Sequence, residues 1–372
     1  MPDNSAAWQT EKKGRLDVKE APYTAPAAKE IVVRNHAVAI NPVDWINQAA
    51  GGLVCPWVKY PAVLGSDLAG EVVQVGTDVT RFKVGDRVLG HALGVDKKRN
   101  RPEEGAFQLH TIVLEYMAAP IPSTLSYECA SVLPLGLSTA ACGLFQKDQL
   151  GLQYPTIKAK PIGETLLVWG GSTSVGSNAI QLAVAAGYEV ITTSSPANFE
   201  YVKRLGASRA FNYNDPMVVR DLIEAFRNKT IAGAIAIGSN SVPACLDVVH
   251  ASKGNKFVSI ATFPLDFRRM AKGAAIPLEM LRQSPRLVSF AATFLAKSRL
   301  RGIRTKAIYG TTLMDNEVSG IIYRDFLTGA LSEGLYIAAP EPLVVGRGLS
   351  SLQSALDIQL QGVSAAKVVV SL

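Results

Sequence analysis

The sequence predicts an α/β protein in which a β-rich first domain adjoins a doubly wound parallel sheet. Three observations predict it. Residues 30–155 carry short β-branched runs broken by glycine and proline, strand-like and helix-like segments alternate strictly from Glu164 onward, and the last residues return to extended character. A chain of 372 residues suggests two domains. The pattern places them at 1–155, completed by 311–372, and at 156–310.

In the first domain Glu30–Val38, Asp67–Val75 and Arg87–Leu89 read as strands, with turns marked by Gly65, Gly70, Gly76 and Gly85-Asp86. Residues 128–145 are rich in Ala, Leu and Ser, and Leu137, Ala141 and Leu144 recur at helical spacing. Thr165–Trp169 is a continuous apolar run that suits a strand buried on both faces. A glycine-rich turn and a helix over 175–186 follow. Strands are expected at 188–193, 209–212, 233–237 and 256–260, with helices at 199–205, 218–227 and 242–250; this alternation implies right-handed crossovers. Residues 261–310 show no clean period, Val318–Leu331 reads as an amphipathic helix, and Leu343–Val345 and Lys367–Val370 read as strands.

Apolar residues make up 48% and charged residues 19% of the chain, a core-forming balance that excludes disorder. The formal charge is +7. The densest basic run, Lys97–Arg101, lacks aromatics and adjoins Glu103 and Glu104, so it reads as a solvated loop and no nucleic-acid partner is expected. Cys55, Cys129, Cys142 and Cys245 are dispersed and read as reduced thiols. With no leader and no run of 18 apolar residues expected, the predicted home is the cytoplasm, without a membrane span.

The segment Val168-Trp169-Gly170-Gly171-Ser172-Thr173-Ser174-Val175-Gly176 joins a strand to a helix. Gly171 and Gly176 take the outer positions of G-x-G-x-x-G and Thr173 the middle one, where glycine is usual. Helix N-termini bind pyrophosphate through free N–H groups, so the turn predicts a dinucleotide site. The hydroxyls of Ser172, Thr173 and Ser174 either donate to phosphate or cap the helix. The next strand ends Thr192-Thr193-Ser194-Ser195-Pro196-Ala197-Asn198, with no carboxylate for a ribose 2′-hydroxyl. Ser194, Ser195 and Asn198 are donors toward a 2′-phosphate, and Lys203 lies in the next helix. The expected cofactor is NADP(H).

With Ala39-Ile40-Asn41-Pro42-Val43-Asp44, Gly65-Ser66-Asp67-Leu68-Ala69-Gly70-Glu71-Val72, Val84-Gly85-Asp86-Arg87-Val88, Gly105-Ala106-Phe107, Arg204-Leu205-Gly206-Ala207 and Asn212-Tyr213, nearly the whole chain resembles the medium-chain dehydrogenase/reductase superfamily, in its quinone and enoyl reductase branch. More narrowly it resembles fungal stand-alone trans-enoyl reductases and dehydrogenases of the concanamycin-induced type. The resemblance implies a GroES-like catalytic domain and a Rossmann domain. It also implies cofactor contacts at Asp44, Trp45, Asn47, Ser172 to Val175, Ser195, Asn198, Tyr213, Ile260, Ala261, Val363 and Ser364. The catalytic zinc ligands of metal-dependent relatives correspond to Asn41, Ser66 and Asp67, and the stretch His91–Gly105 has no cysteine for a structural zinc, so no zinc is expected.

Without a Lewis acid, an activated alkene is a better hydride acceptor than a simple carbonyl. The expectation is NADPH-dependent reduction of a trans-enoyl thioester in secondary metabolism, free or on a carrier protein. An NADPH:quinone or enone reductase is the alternative, and a catalytically silent NADPH-binding protein is the alternative of another class. Asn41, Asp44 and Tyr60 are the candidate catalytic residues. Phe263, Phe267, Met270, Met280, Leu281, Phe290 and Phe294 are candidates for an acyl pocket or for ordinary core. Arg268, Arg269, Arg282 and Arg286 are candidates for an anionic carrier or for surface charge. Monomer and homodimer both remain open, with Ser284–Arg304 as a segment that blocks an edge.

Overall fold

The computed structural model describes residues 3–372. The chain forms two compact units. One comprises the residues up to Leu135 together with Phe267–Glu279 and Tyr323–Leu372; the other comprises Gly136–Asp266 and Met280–Ile322. The sequence pattern put the divisions at 155/156 and 310/311.

The first unit opens with a hairpin, β1 (Asn4–Gln9) and β2 (Leu16–Ala21), which the sequence reading did not include. There follow β3 (Glu30–Ala39), α1 (Pro42–Val54), β4 (Ala62–Val63), β5 (Asp67–Val75), β6 (Arg87–His91), β7 (His110–Leu114), β8 (Ala118–Pro120) and α2 (Tyr127–Ser131). The strands Glu30–Val38, Asp67–Val75 and Arg87–Leu89 thus stand where the β-branched runs placed them. Buried Ile31, Val32, Val33, Leu68, Val72 and Val88 supply their inward faces.

In the second unit α3 (Pro134–Phe145), from Gly136 onward, precedes β9 (Glu164–Trp169), α4 (Ser174–Ala185), β10 (Glu189–Ser194), α5 (Phe199–Arg204), β11 (Arg209–Asn212), α6 (Val218–Phe226), β12 (Thr230–Ile237), α7 (Ser241–Ala251), β13 (Lys253–Gly254) and β14 (Phe257–Ala261). The strands lie in the order β11-β10-β9-β12-β14, followed by the strand Arg304–Ala307, and each of these pairs is parallel. Leu166, Leu167 and Val168 of the central β9 are wholly buried, as a strand covered on both faces requires. α6 turns Val218, Leu222, Ala225 and Phe226 inward and leaves Arg220 and Glu224 outward.

The chain then forms α8 (Arg268–Ala271), α9 (Ile276–Leu300) and β15 (Arg304–Ala307). The segment without a clean period is therefore mostly one long helix. Its pattern is obscured because Pro285 lies inside it and Leu278, Leu281, Val288 and Leu295 are exposed. The region read as one amphipathic helix is a π-helical stretch, Gly320–Phe326, followed by α10 (Leu327–Ser332). β16 (Glu341–Arg347), α11 (Leu352–Gln361) and β17 (Ala366–Ser371) complete the first unit. Its main sheet runs β16-β17-β3-β5-β6-β8, with β7 also on β3.

Residues 127–145 do have the length and hydropathy of a membrane-crossing helix, but the stretch is divided between α2 and α3 and 78% of its apolar window is buried in the fold. The basic run 97–101 is not merely a solvated loop. Arg99 pairs with Glu30 and Glu104, each at 2.5 Å, and Arg101 pairs with Glu30, Glu103 and Glu104. The carboxylates of Glu30 and Glu104 are buried, so this network fastens the loop to β3.

Candidate active site

The glycine turn between β9 and α4 has the form that anion binding needs. Gly170 adopts φ +91°, in the left-handed region, and its N–H donates to Thr193 Oγ1 at 3.0 Å. A Cβ at Gly176 would lie 2.7 Å from Gly171 Cα and strike the Gly170 carbonyl, so only glycine lets the helix begin this close to the turn. Thr173 answers the choice between capping and phosphate contact. Its Oγ1 accepts from Gly176 N at 3.0 Å and donates to Gly170 O at 2.8 Å. Ser174 Oγ is buried with no hydrogen-bond partner, and the first N–H groups of α4 have no acceptor within the helix. These groups fit a dinucleotide pyrophosphate.

β10 ends with Thr192, Thr193 and Ser194 buried, and no carboxylate follows before Glu200. Ser195 Oγ accepts from Asn198 Nδ2 at 3.1 Å, which leaves the serine O–H to donate outward. Lys203 is exposed and pairs with Glu200 at 2.9 Å on the surface of α5. Tyr213, just past β11, is 44% exposed. Ile260 and Ala261 end β14, half-buried.

In the first unit, three strand registers bring distant polar residues to one point. β17 pairs antiparallel with β3, Val369 opposite Ala39, which sets Lys367 beside Asn41. β3 pairs Ala39 with Asp67, and β5 pairs Asp67 with His91. Lys367 Nζ lies 2.5 Å from Asn41 Oδ1 and 2.8 Å from Asp67 Oδ2. Asn41 Nδ2 donates to the same Asp67 oxygen at 2.9 Å, and Asp67 Oδ1 accepts from Leu135 N at 2.6 Å in the first turn of α3. All of these side chains are buried. Asn41 therefore faces inward, with both ends of its amide engaged.

Asn41 N donates to Asp44 Oδ2 at 2.7 Å, at the start of α1. Asp44 is 1% exposed, and burial pushes its carboxyl up to about 7 against the opposing bond from Asn41. Burial pushes the imidazole of His91 down to about 4, with Asp67 and Asp96 partly opposing. One turn along α1, Trp45 Nε1 is buried with no hydrogen-bond partner among the described residues, and the buried Asn47 amide meets only the Cys55 thiol. Buried atoms of this kind ordinarily have a partner, and a bound ligand supplies one. Cys55 closes the same helix; burial pushes its thiol up to about 11, Asp96 adds to this and the Asn47 amide opposes it. The Tyr60 hydroxyl reaches over Gly51, where a Cβ would stand 2.7 Å from it. Val363 and Ser364 sit between α11 and β17.

The candidate acyl-pocket residues are divided between the two units. Phe267 and Met270 are buried in the first unit, whereas Phe290 and Phe294 stack on each other against the core of the second. Phe263 and Leu281 are exposed. Of the candidate arginines, Arg269 is paired with buried Glu279. The sequence reading missed Lys367, His91 and Cys55. Only the strand registers connect Lys367 to residues more than 300 positions away.

Zinc does not fit this donor set. An amide, a serine and one carboxylate stand at the three corresponding positions, without the thiolate and imidazole donors that zinc favours.

The family model described as alcohol dehydrogenase GroES-like domain matches residues 27–123, and the one described as zinc-binding dehydrogenase matches 174–268. The chain is 52% identical over 374 residues to the dehydrogenase pigH of Monascus ruber, with 100% of both chains covered. It is 35% identical over 373 residues to the trans-enoyl reductase himH of Aspergillus japonicus, covering 99% of this chain and 97% of that one. The crystal structure of an alcohol dehydrogenase superfamily protein from Novosphingobium aromaticivorans shares the fold, with a TM-score of 0.75 at 24% identity over 99% of each chain. The chain is thus an oxidoreductase that belongs to the medium-chain dehydrogenase/reductase superfamily.

Proposed function

We propose that this protein uses NADPH to reduce an activated carbon–carbon double bond, and that its substrate is a trans-enoyl thioester. The observation that carries the cofactor assignment is the end of β10, where the Ser195 hydroxyl and the Asn198 amide stand with no carboxylate to repel a 2′-phosphate, while the buried Ser194 hydroxyl is spent on Ser195 O. The substrate class is supported by likeness to a relative named as a trans-enoyl reductase, and by the poor match between the Asn41, Ser66 and Asp67 positions and a Lewis-acid metal.

When bound, NADPH supplies the hydride. The residues of this chain do the rest. Ser174 Oγ and the opening N–H groups of α4 hold the pyrophosphate. Ser195 and Asn198 hold the 2′-phosphate. Trp45 Nε1 and the Asn47 amide offer donors in an apolar setting, where a hydrogen bond to a polarised carbonyl or an enolate oxygen has most effect. The Tyr60 hydroxyl is the candidate for returning a proton to the α-carbon. Buried Asp44 holds the start of the helix that carries these donors.

The test is anaerobic NADPH oxidation with a short trans-enoyl thioester and a simple quinone offered separately, and with NADH as control. Thioester-dependent oxidation of NADPH in preference to NADH is expected. Turnover of the quinone alone would replace the substrate reading, and equal use of NADH would replace the cofactor reading.

A further inference from the structure

We infer that the outer face of α9 is a docking surface for an anionic lipid bilayer, on which the chain rests peripherally without spanning it. The inference does not depend on which substrate is reduced.

From Met280 onward α9 is held to the second unit by one face. The amide oxygen of buried Gln283 accepts from Asp266 N at 2.9 Å, and its amide nitrogen donates to Asp266 O at 2.8 Å. Phe290 and Phe294 pack against the core, and Lys297 and Arg301 reach Asp247 of α7, each at 2.6 Å. At about 3.6 residues per turn, these anchors set the opposite face outward. Leu281, Val288 and Leu295 recur on that face every seven residues and are 71%, 68% and 45% exposed. Exposed Ala292 lies between the last two, and Leu300, 87% exposed, ends the helix. A continuous exposed apolar stripe of this kind marks a contact surface.

Charge identifies what covers it. Residues 280–304 contain six of the 38 lysines and arginines and none of the 31 acidic residues, so +6 of the formal +7 lies in this segment. Arg282, Arg286 and Arg299 are exposed along the helix. A second copy of the chain would set two such segments against each other, and their like charges would repel. An anionic bilayer matches both features. The leucines and the valine enter the boundary between headgroups and acyl chains, and the arginines reach lipid phosphates at its edge. Leu281 and Val288 stand clear of their neighbours, so whatever covers them must enclose them; a bilayer does so without a matching groove.

The experiment is flotation of the full chain with vesicles of phosphatidylcholine alone and of phosphatidylcholine containing about one-third phosphatidylserine, at low and high salt. Recovery with the phosphatidylserine vesicles at low salt is expected, with little on phosphatidylcholine and a loss of about tenfold or more in about 0.5 M salt. Val288→Gln with Leu295→Gln, and Arg286→Glu with Arg299→Glu, are each expected to reduce binding by about tenfold or more. All four positions are exposed, so circular dichroism and Tm of both variants are expected to remain those of the wild type. No recovery with the anionic vesicles, equal recovery with both kinds, or binding that both variants retain would overturn the inference. A two-chain mass by light scattering that Val288→Gln with Leu295→Gln reduces to one would overturn it in favour of a second copy. Binding of polyglutamate without binding of vesicles would overturn it in favour of an acidic protein.

Discussion

Lys367 Nζ and Asp67 Oδ2 lie 2.8 Å apart in the interior of the first unit, joined by strand register across 300 positions of sequence. Asn41 bridges both, accepting from the lysine and donating to the carboxylate. Asn41→Ala removes the bridge and leaves the ion pair. The expected cost is about 1–3 kcal/mol, read as a lower Tm, with the preference for NADPH over NADH unchanged. A change in cofactor preference would mean that Asn41 acts on the cofactor directly.

Asp44 carries a raised carboxyl pKa of about 7 because it is buried. Its neutral form is favoured in the folded state, so its contribution to stability is complete below the ordinary aspartate value and is lost as pH rises through about 7. Asp44→Asn keeps an acceptor for Asn41 N and removes the titration. The difference in Tm between wild type and Asp44→Asn is therefore expected to shift in favour of the variant between pH 4 and 8. A difference that stays constant across that range contradicts the assignment.

Gly176 admits no side chain, since a Cβ would meet the backbone of Gly170 and Gly171. Gly176→Ala is expected to displace the start of α4 and weaken NADPH binding by about tenfold or more, measured by quenching or enhancement of cofactor fluorescence. Circular dichroism of the variant should remain that of the folded chain. Unchanged affinity would remove this turn from the cofactor site.

Ser195→Asp places a carboxylate at the end of β10, beside Asn198. NADPH affinity is expected to fall about tenfold or more while NADH affinity holds or rises. Equal losses for both cofactors would show that the residue is not next to the 2′-phosphate.

Arg99 links the buried carboxylates of Glu30 and Glu104. Arg99→Met leaves them with Arg101 alone and is expected to cost about 3 kcal/mol and to expose residues 93–105 to limited proteolysis. A stable, protease-resistant variant would make the network incidental.

Much of the second unit was legible because parallel strands buried on both faces announce themselves as apolar runs, as Thr165–Trp169 does, and because Gly171 and Gly176 mark the turn that follows. The first unit's site was only half legible. Asn41, Asp44 and Asp67 fall within motifs, but nothing local joins Lys367 to them; the bond exists because Val369 pairs with Ala39 and Ala39 with Asp67. α9 escaped periodicity because its exposed face is also apolar, at Leu281, Val288 and Leu295. The ion pairs of Arg99 and Arg101 escaped because their partner Glu30 is some 70 positions away and charge runs alone do not reveal burial.

The central claim is most directly tested by the fate of the hydride. A trans-enoyl thioester is incubated with NADPH deuterated at the transferring position, and the product is analysed by mass spectrometry and NMR. The account predicts a saturated thioester with deuterium at the β-carbon and a solvent-derived proton at the α-carbon. Recovery of the thioester with its double bond intact, or of a product with no deuterium at the β-carbon, would contradict it.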